Sequence, residues 1–129
     1  HFIPVPKDSC KIRASKVSIQ VPPQRAHEVI EAAKKNFQIL LHYDNIGEIV
    51  PKGYTKASGI RRVCELLGID RADTIAVGDS INDVDMLQFA GCGIAMGNAT
   101  EPAKEIADYV TTDIFEDGIW NAMAHMGLL

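Results

Sequence analysis

The sequence predicts an α/β protein built on a parallel sheet. Short apolar segments with strand character alternate with amphipathic segments of helical period, and strands separated by helices of about 10 residues form parallel βαβ units. The chain has 129 residues, of which 47% are hydrophobic and 23% are charged. This length and composition are typical of a domain with a packed core and argue against a mainly disordered chain.

The lead segment predicts the order strand, helix, strand, strand. Val17 and Ile19 alternate with polar residues, as in a half-buried strand. Pro22 and Pro23 end this strand and open a helix, because proline is tolerated in a first helical turn. Asp44 marks a turn between two apolar runs. The predicted elements are a strand over 17–21, a helix over 24–35 and strands over 37–42 and 47–50.

The second segment alternates helix and strand more regularly. Ile60, Val63 and Leu67 recur at helical spacing, and Gly68 follows them as a residue that ends a helix. Thr100 is placed to cap a later helix. The predicted elements are helices over 60–67, 83–90, 100–107 and 119–126 and strands over 74–77, 92–96 and 109–111.

Charge divides the chain near a loop at 51–53. Residues 1–56 carry nine Lys or Arg and five Asp or Glu, whereas residues 57–129 carry four and 12. Two solvated faces of different sign are one explanation of this division. An acidic segment that holds a cation is the alternative. We place a domain boundary at the loop, between segments 1–51 and 52–129. The net charge of −4 argues against a nucleic-acid binder that works through bulk charge.

Several classes of protein are not expected. No apolar run approaches the roughly 20 residues that span a bilayer, so we expect no membrane partner. The cysteines Cys10, Cys64 and Cys92 form no Cys-x-x-Cys pair, which argues against a disulfide framework and favours a cytoplasmic protein. The chain opens at His1 with neither a Met nor a signal-peptide pattern, so we expect a piece of a longer protein.

A pair of acidic residues follows the predicted strand 74–77. Ligands of open parallel sheets bind beyond the carboxyl ends of the strands, so Asp79 is expected in such a crevice, and Asp83 can turn back towards it from the first helical turn. Two carboxylates without a nearby basic residue repel each other, and a hard cation such as Mg²⁺ relieves that repulsion. The same residues also fit a plain turn in which Asn82 caps the helix.

Lys56 stands at the expected start of the helix that leads into this strand. A lysine there is unfavourable to the helix dipole, which suggests that it meets an anion such as a carboxylate or a phosphate. An ordinary surface lysine is the alternative. The Gly97-Asn98-Ala99 loop after the strand 92–96 is interpreted mainly as a tight strand-to-helix turn.

Taken in order, these segments resemble the C-terminal half of a haloacid dehalogenase-like (HAD) phosphatase, closest to the Cof-type branch with an inserted α/β cap. The likeness is strong over 46–129 and loose over 14–45. It implies the C-terminal half of a Rossmann-like parallel core, preceded by part of an α/β cap. The residues that carry it are Lys56, Gly78-Asp79-Ser80-Ile81-Asn82-Asp83-Val84-Asp85-Met86-Leu87, Ile94-Ala95-Met96-Gly97-Asn98-Ala99, Ala107-Asp108-Tyr109-Val110-Thr111 and Glu116-Asp117-Gly118-Ile119.

The resemblance also implies roles for the site residues. Lys56 is expected to be a catalytic and substrate-binding lysine that screens charge on the nucleophile and the phosphoryl group. Asp79 is expected to bind Mg²⁺ directly, and Asp83 to support the metal shell, so that both are catalytic and metal residues. Asn82 is expected to contact the substrate near its phosphate. Ser80 departs from the pattern, since the group more often has Gly there.

The implied chemistry needs an aspartate that this sequence lacks. The family transfers a phosphoryl group from a phosphate monoester, here of a small sugar-phosphate-like metabolite, to an aspartate in an Asp-x-Asp-Gly-Thr motif and then hydrolyses the aspartyl-phosphate. No such motif occurs in the 129 residues. We therefore expect the C-terminal half of a longer enzyme, ending at its natural terminus and inactive alone.

The sequence leaves two other functions to consider. One is a non-catalytic α/β binding module that pairs with a partner chain, and the other is a dinucleotide-binding domain. The second is disfavoured because Gly91, Gly93 and Gly97 are spaced by 2 and 4, whereas the dinucleotide motif needs 2 and 3. Without the strand that carries the nucleophile, the strand 74–77 is expected to be an exposed edge through which the chain self-associates.

Overall fold

The computed structural model describes residues 16–129, except for the side chain of His42. The chain divides into two compact units between Gly53 and Tyr54, two residues beyond the predicted boundary. None of the helices from residue 16 onward is both long and apolar enough to cross a membrane.

The first unit contains the four predicted elements as a three-stranded antiparallel sheet with one helix. The strand order is β1-β3-β2, with β3 in the centre. Pro23 is the first residue of the helix, as the sequence predicts. A bulge between Leu41 and Tyr43 interrupts the pairing of β2 with β3. The elements are β1 at Val17–Gln20, α1 at Pro23–Lys34, β2 at Phe37–Tyr43 and β3 at Ile46–Pro51.

The second unit contains a three-stranded parallel sheet in the order β4-β5-β6, which confirms the predicted parallel architecture. In this sheet β4 pairs with β5, and no strand of residues 16–129 pairs with its other edge. Three 3-10 turns at 71–73, 81–83 and 114–116 connect the regular elements. These elements are α2 at Lys56–Leu67, β4 at Ile75–Gly78, α3 at Val84–Phe89, β5 at Cys92–Ala95, α4 at Glu101–Ile106, β6 at Tyr109–Val110 and α5 at Gly118–His125.

Apolar side chains and glycines pack closely around β5 in the core of the second unit. Leu87 of α3 is 1% exposed and Ile94 of β5 is fully buried. A Cβ atom on Gly93 would lie 2.2 Å from the carbonyl oxygen of Leu87, so glycine is required where α3 crosses β5. A Cβ atom on Gly97 would likewise lie 2.6 Å from the backbone nitrogen of Asp113. These glycines serve close backbone packing.

Two details differ from the prediction. The helix expected over 83–90 forms as α3 from Val84, and Asp83 instead ends the 3-10 turn that precedes it, with its side chain turned back to bond the preceding loop. Thr100 occupies the cap position of α4 but makes no capping hydrogen bond through its side chain.

One glycine inside α2 and one just after it test the effect of backbone conformation alone, because a side chain at either position would meet no other atom. Gly59 lies within the helix and Gly68 follows it at φ 67°, and nothing lies within 4 Å of a Cβ atom built on either. Gly68→Ala should destabilise the unit by about 1 kcal/mol because of the left-handed backbone, whereas Gly59→Ala should stabilise it by about 0.5–1 kcal/mol. Urea unfolding measures both, and equal effects of the two substitutions would contradict this assignment.

Candidate active site

The candidate site lies at the carboxyl edge of the parallel sheet, where the loops after β4, β5 and β6 are tied together. The backbone nitrogen of Thr100 donates to the carbonyl of Asp79 at 2.8 Å, and that of Gly97 donates to Thr112 at 3.0 Å. The side-chain oxygen of Asn98 accepts from the backbone nitrogen of Ile114 at 3.1 Å. These bonds fix the positions of the three loops relative to one another around Asp79.

Asp83 is the anchor of the loop after β4. It is 4% exposed, and its Oδ2 accepts hydrogen bonds from the backbone nitrogens of Asp79 and Ser80, both at 3.1 Å, and from the Ser80 hydroxyl at 3.0 Å. Its Oδ1 accepts from Nζ of Lys56. A Cβ atom on Gly78 would lie 2.6 Å from the Asp83 Cβ, so the glycine at the end of β4 makes room for this carboxylate.

The electrostatics of Asp83 follow from these contacts. Burial acts to raise the pKa of Asp83, but the hydrogen bonds from Lys56, from the backbone of Asp79 and Ser80 and from the Ser80 hydroxyl outweigh it and lower the pKa below its ordinary value. Asp83 is therefore ionised at neutral pH and forms an ion pair with Lys56.

Lys56 is the first residue of α2 and is fixed from both sides. Thr55 caps the helix by accepting from the Ser58 nitrogen at 3.1 Å, and the Ser58 hydroxyl oxygen accepts from the Thr55 nitrogen at 2.9 Å. Asp85 of α3 accepts from the backbone nitrogen of Ala57 at 3.3 Å, which places an acid at the positive end of the helix dipole. The Lys56 side chain remains 48% exposed.

Asp79 differs from Asp83 in its exposure and in the contacts of its carboxylate. It is exposed, and within residues 16–129 its carboxylate has no hydrogen bond or ion pair, although its backbone is held by Asp83 and Thr100. Asn82 is half-buried, and its Oδ1 lies 2.5 Å from the Ser80 hydroxyl. Hydrogen bonds thus link Lys56, Asp79, Asn82 and Asp83, the four residues singled out in the sequence, into one corner.

The corner carries a partial set of ligands for a hard cation. In the described part of the chain, no group of three or more His, Cys, Asp or Glu side chains is arranged to hold a metal ion. Mg²⁺ is commonly held by one or two protein carboxylates and keeps several waters. The free carboxylate of Asp79, beside a carboxylate already occupied by donors, fits such a site.

Two residues of the site were not recognised from the sequence. The sequence singles out Ser80 only as a departure from the family pattern and Asp85 only as part of the segment 78–87. The Ser-x-x-Asp spacing of 80–83 is a helix-start signal that could have shown the bonds from Ser80 to Asp83. The bond from Ala57 to Asp85 joins residues 28 positions apart, and local sequence carries no signal for it.

With the fold and the site described, comparisons with known proteins place the chain in a family. The family model for haloacid dehalogenase-like hydrolases matches residues 5–123. The chain therefore belongs to the haloacid dehalogenase-like hydrolases, in agreement with the fold class that the sequence predicts.

Particular relatives match over most of this chain. The putative phosphatase YkrA of Bacillus subtilis is 42% identical over 106 residues, which are 82% of this chain and 41% of that protein. The 5-amino-6-(5-phospho-D-ribitylamino)uracil phosphatase YcsE of the same organism is 40% identical over 102 residues, which are 77% of this chain and 41% of that protein.

A solved structure extends this comparison. A sugar phosphatase of HAD subclass IIB is similar with a TM-score of 0.77 and 36% identity, over 88% of this chain and 44% of that chain. This chain spans less than half the length of each of these three proteins.

Asp79 and Asp83 provide a matched pair of carboxylates for a stability measurement. Asp83→Asn should destabilise the second unit by about 1–3 kcal/mol at pH 7, because it removes a buried charged acceptor and leaves Lys56 without its partner. Asp79→Asn should change the free energy of unfolding by less than about 0.5 kcal/mol, because this side chain is exposed. Chemical unfolding followed by circular dichroism measures both.

The pH dependence supplies the control. A pKa that is lowered in the folded state stabilises the protein above the unfolded value of about 3.9 and ceases to do so as pH falls through the folded value. The stability difference between wild type and Asp83→Asn should therefore shrink as pH falls below about 4. A difference that stays constant from pH 7 to pH 2 would contradict the ionised state of Asp83.

Proposed function

We propose that this chain is the lysine- and metal-binding half of a Mg²⁺-dependent phosphatase. The observation that carries the proposal is the corner at the carboxyl edge of the parallel sheet, where a half-exposed Lys56 is paired with a buried Asp83 next to a free Asp79. Membership of the hydrolase family and the phosphatase names of the relatives support it.

Asp79 would hold the metal ion, and Asp83 would support the metal shell. A bound Mg²⁺ supplies positive charge that stabilises the developing charge on phosphoryl oxygens. The backbone of Asp79 is bonded at its nitrogen to Asp83 and at its oxygen to Thr100, which lowers the cost of ordering the residue when a metal ion binds.

Lys56 would bind the phosphate and neutralise charge during transfer. Its ammonium has three donors, of which one is used by Asp83, so the others can meet a phosphoryl oxygen and the attacking carboxylate. Asn82 would contact the substrate near the phosphate through its amide.

The attacking aspartate must come from outside these 129 residues. In the proposed reaction its carboxylate oxygen bonds to phosphorus as the bond from phosphorus to the ester oxygen breaks, and the departing oxygen takes up a proton from solvent to leave as the alcohol. Water then hydrolyses the aspartyl-phosphate, which releases phosphate and regenerates the aspartate. We propose a cytoplasmic enzyme whose substrates are phosphate monoesters of small, sugar-phosphate-like metabolites. The sugar phosphatase among the similar structures supports this class. In this proposal residues 1–51 are part of an α/β cap and residues 52–129 part of the core.

Titration with Mg²⁺ tests the metal site on the chain itself. Amide signals of residues 78–85 should shift with a weak dissociation constant, because a partial ligand set leaves most of the coordination shell to water. Asp79→Asn should abolish the shifts. The exposed Asp44→Asn in the first unit is the matched control and should leave them intact. Shifts confined to other residues, or unchanged in Asp79→Asn, would reject the site.

Activity tests the chemistry. The chain alone should not hydrolyse p-nitrophenyl phosphate, because no aspartate is positioned to attack. In an intact protein that includes the attacking aspartate, Lys56→Ala should lower kcat by about 100-fold or more, whereas Lys104→Ala, which removes an exposed pair with Glu101, should not. Metal-dependent turnover by the chain alone, lost in Asp79→Asn, would contradict the division of the site.

The alternative, a binding module that pairs with another chain, is favoured by one feature. The outer edge of β4 has no partner strand within residues 16–129, and Ile75, Val63 and Leu67 are exposed at 37%, 52% and 67%. Apolar edges of this kind pair with other chains. We therefore propose that the isolated chain self-associates through β4.

Sedimentation tests this association. The wild-type chain should form dimers or larger species at high micromolar concentration, and Ile75→Lys should shift it towards monomer, because an edge lysine opposes strand pairing. Ile114→Lys changes an exposed isoleucine outside the strands and should leave the distribution unchanged. A monomeric wild type with protected amides at 75–77 would refute the proposal.

A further inference from the structure

Lys56 is held at both ends by one short segment of the chain. At the tip of its side chain, the ammonium donates to Oδ1 of Asp83. At its backbone, the next nitrogen along the chain, that of Ala57, donates to Oδ2 of Asp85 at 3.3 Å. Asp83 and Asp85 are separated by Val84 alone, whose backbone is helical with φ −51° and ψ −45°. The carboxylates at the two ends of the lysine therefore depart from one piece of helical backbone.

The bond to Asp85 acts on the peptide group of Lys56 itself. The nitrogen of Ala57 is joined to the carbonyl carbon of Lys56, and a peptide group is planar. A hydrogen bond to this N–H therefore orients the backbone from which the lysine side chain departs. The first N–H groups of a helix have no partner within the helix. Without Asp85, the N–H of Ala57 would have no acceptor within residues 16–129.

Asp85 also suits this position by its charge. Its carboxylate meets the second residue of α2, where the positive end of the helix dipole favours an acid and disfavours the lysine beside it. Asp85 is half-buried, and within residues 16–129 its Oδ1 makes no hydrogen bond. The hydrogen bonding of its side chain in this part of the chain is thus directed to the start of α2.

We propose that Asp85 is a positioning residue that fixes the backbone of Lys56, so that the ammonium lies within reach of Asp83. A lysine side chain is a flexible stem. A contact at its tip alone leaves the course of this stem open, whereas contacts at both ends restrict it. That the restricted ammonium meets a phosphoryl group rests on the proposed function, whereas the positioning by Asp85 does not.

Amide exchange in the chain without metal or substrate tests the bond. The amides of Lys56 and Ala57 both lie in the first turn of α2, and within residues 16–129 only that of Ala57 has an acceptor. After correction for intrinsic rates, Ala57 should exchange more slowly than Lys56 in wild type. Asp85→Ala should raise the exchange rate of Ala57 about 2- to 10-fold, the factor expected for one hydrogen bond. Asp85→Asn keeps an oxygen acceptor and should keep this exchange slow.

The mobility of the Lys56 side chain tests the positioning, because a bond that served only the helix would not change it. Carbon-13 relaxation at Cε should show Lys56 to be more ordered than Lys35, an exposed lysine whose side chain has no hydrogen bond within residues 16–129. Asp85→Ala should lower the order of Lys56 towards that of Lys35, and Asp85→Asn should preserve it. Glu101→Ala removes the acid from the first turn of α4 and, as the matched control, should leave Lys56 unchanged.

Three results would overturn the proposal. They are an Ala57 amide that exchanges as fast as that of Lys56 in wild type, an unchanged order of Lys56 in Asp85→Ala, and an equal loss of order in Asp85→Asn. The amides of β5 report whether each variant is folded, and the wild-type exchange decides even if Asp85→Ala is not. Since no metal or phosphate is present, a failed Mg²⁺ titration with an ordered Lys56 would reject the phosphatase function and leave the role of Asp85 standing.

Discussion

The buried carboxylate of Asp83 is the interaction on which the candidate site depends. It accepts hydrogen bonds from two backbone nitrogens, one hydroxyl and one ammonium group. An ionised carboxylate that is 4% exposed would be costly without such partners. The loop after β4 therefore folds around this charge, and the same bonds fix the start of α2, the backbone of Asp79 and the hydroxyl of Ser80.

Two aspartates four positions apart thus have opposite surroundings. Asp83 is enclosed by donors and serves as a support, whereas Asp79 is exposed with its backbone fixed and its carboxylate free within the described chain. Fixing the backbone and leaving the side chain open is a way to preorganise a ligand. The proposed metal site depends on this contrast more than on the number of acids in the corner.

The repeating features of the fold could be predicted from the sequence, because strand alternation and helical spacing are local patterns. The parallel sheet of β4, β5 and β6 follows from helices that separate short apolar strands, and Asp79, Asn82 and Asp83 share one corner because all three lie in the segment that follows β4. The expected anion for Lys56 is present as the carboxylate of Asp83.

Contacts between distant segments could not be predicted in this way. The bond from Ala57 to Asp85 and the close approach of Gly93 to Leu87 depend on how α2, α3 and β5 pack in three dimensions. The 3-10 turn over 81–83 could not be predicted for a related reason. A carboxylate in a first helical turn can point to solvent or turn back to the loop, and burial of Asp83 decides between the two.

Amide hydrogen exchange at Asp79 and Ser80 tests the central claim most directly. Both nitrogens donate to Oδ2 of Asp83, although neither belongs to a helix or a strand ladder. The account predicts that both amides are protected at neutral pH. Asp83→Ala, which removes both carboxylate oxygens, should abolish this protection while the amides of β5 remain protected. Exchange at Asp79 and Ser80 as fast as in an unstructured loop in the wild-type chain would show that Asp83 does not anchor the site.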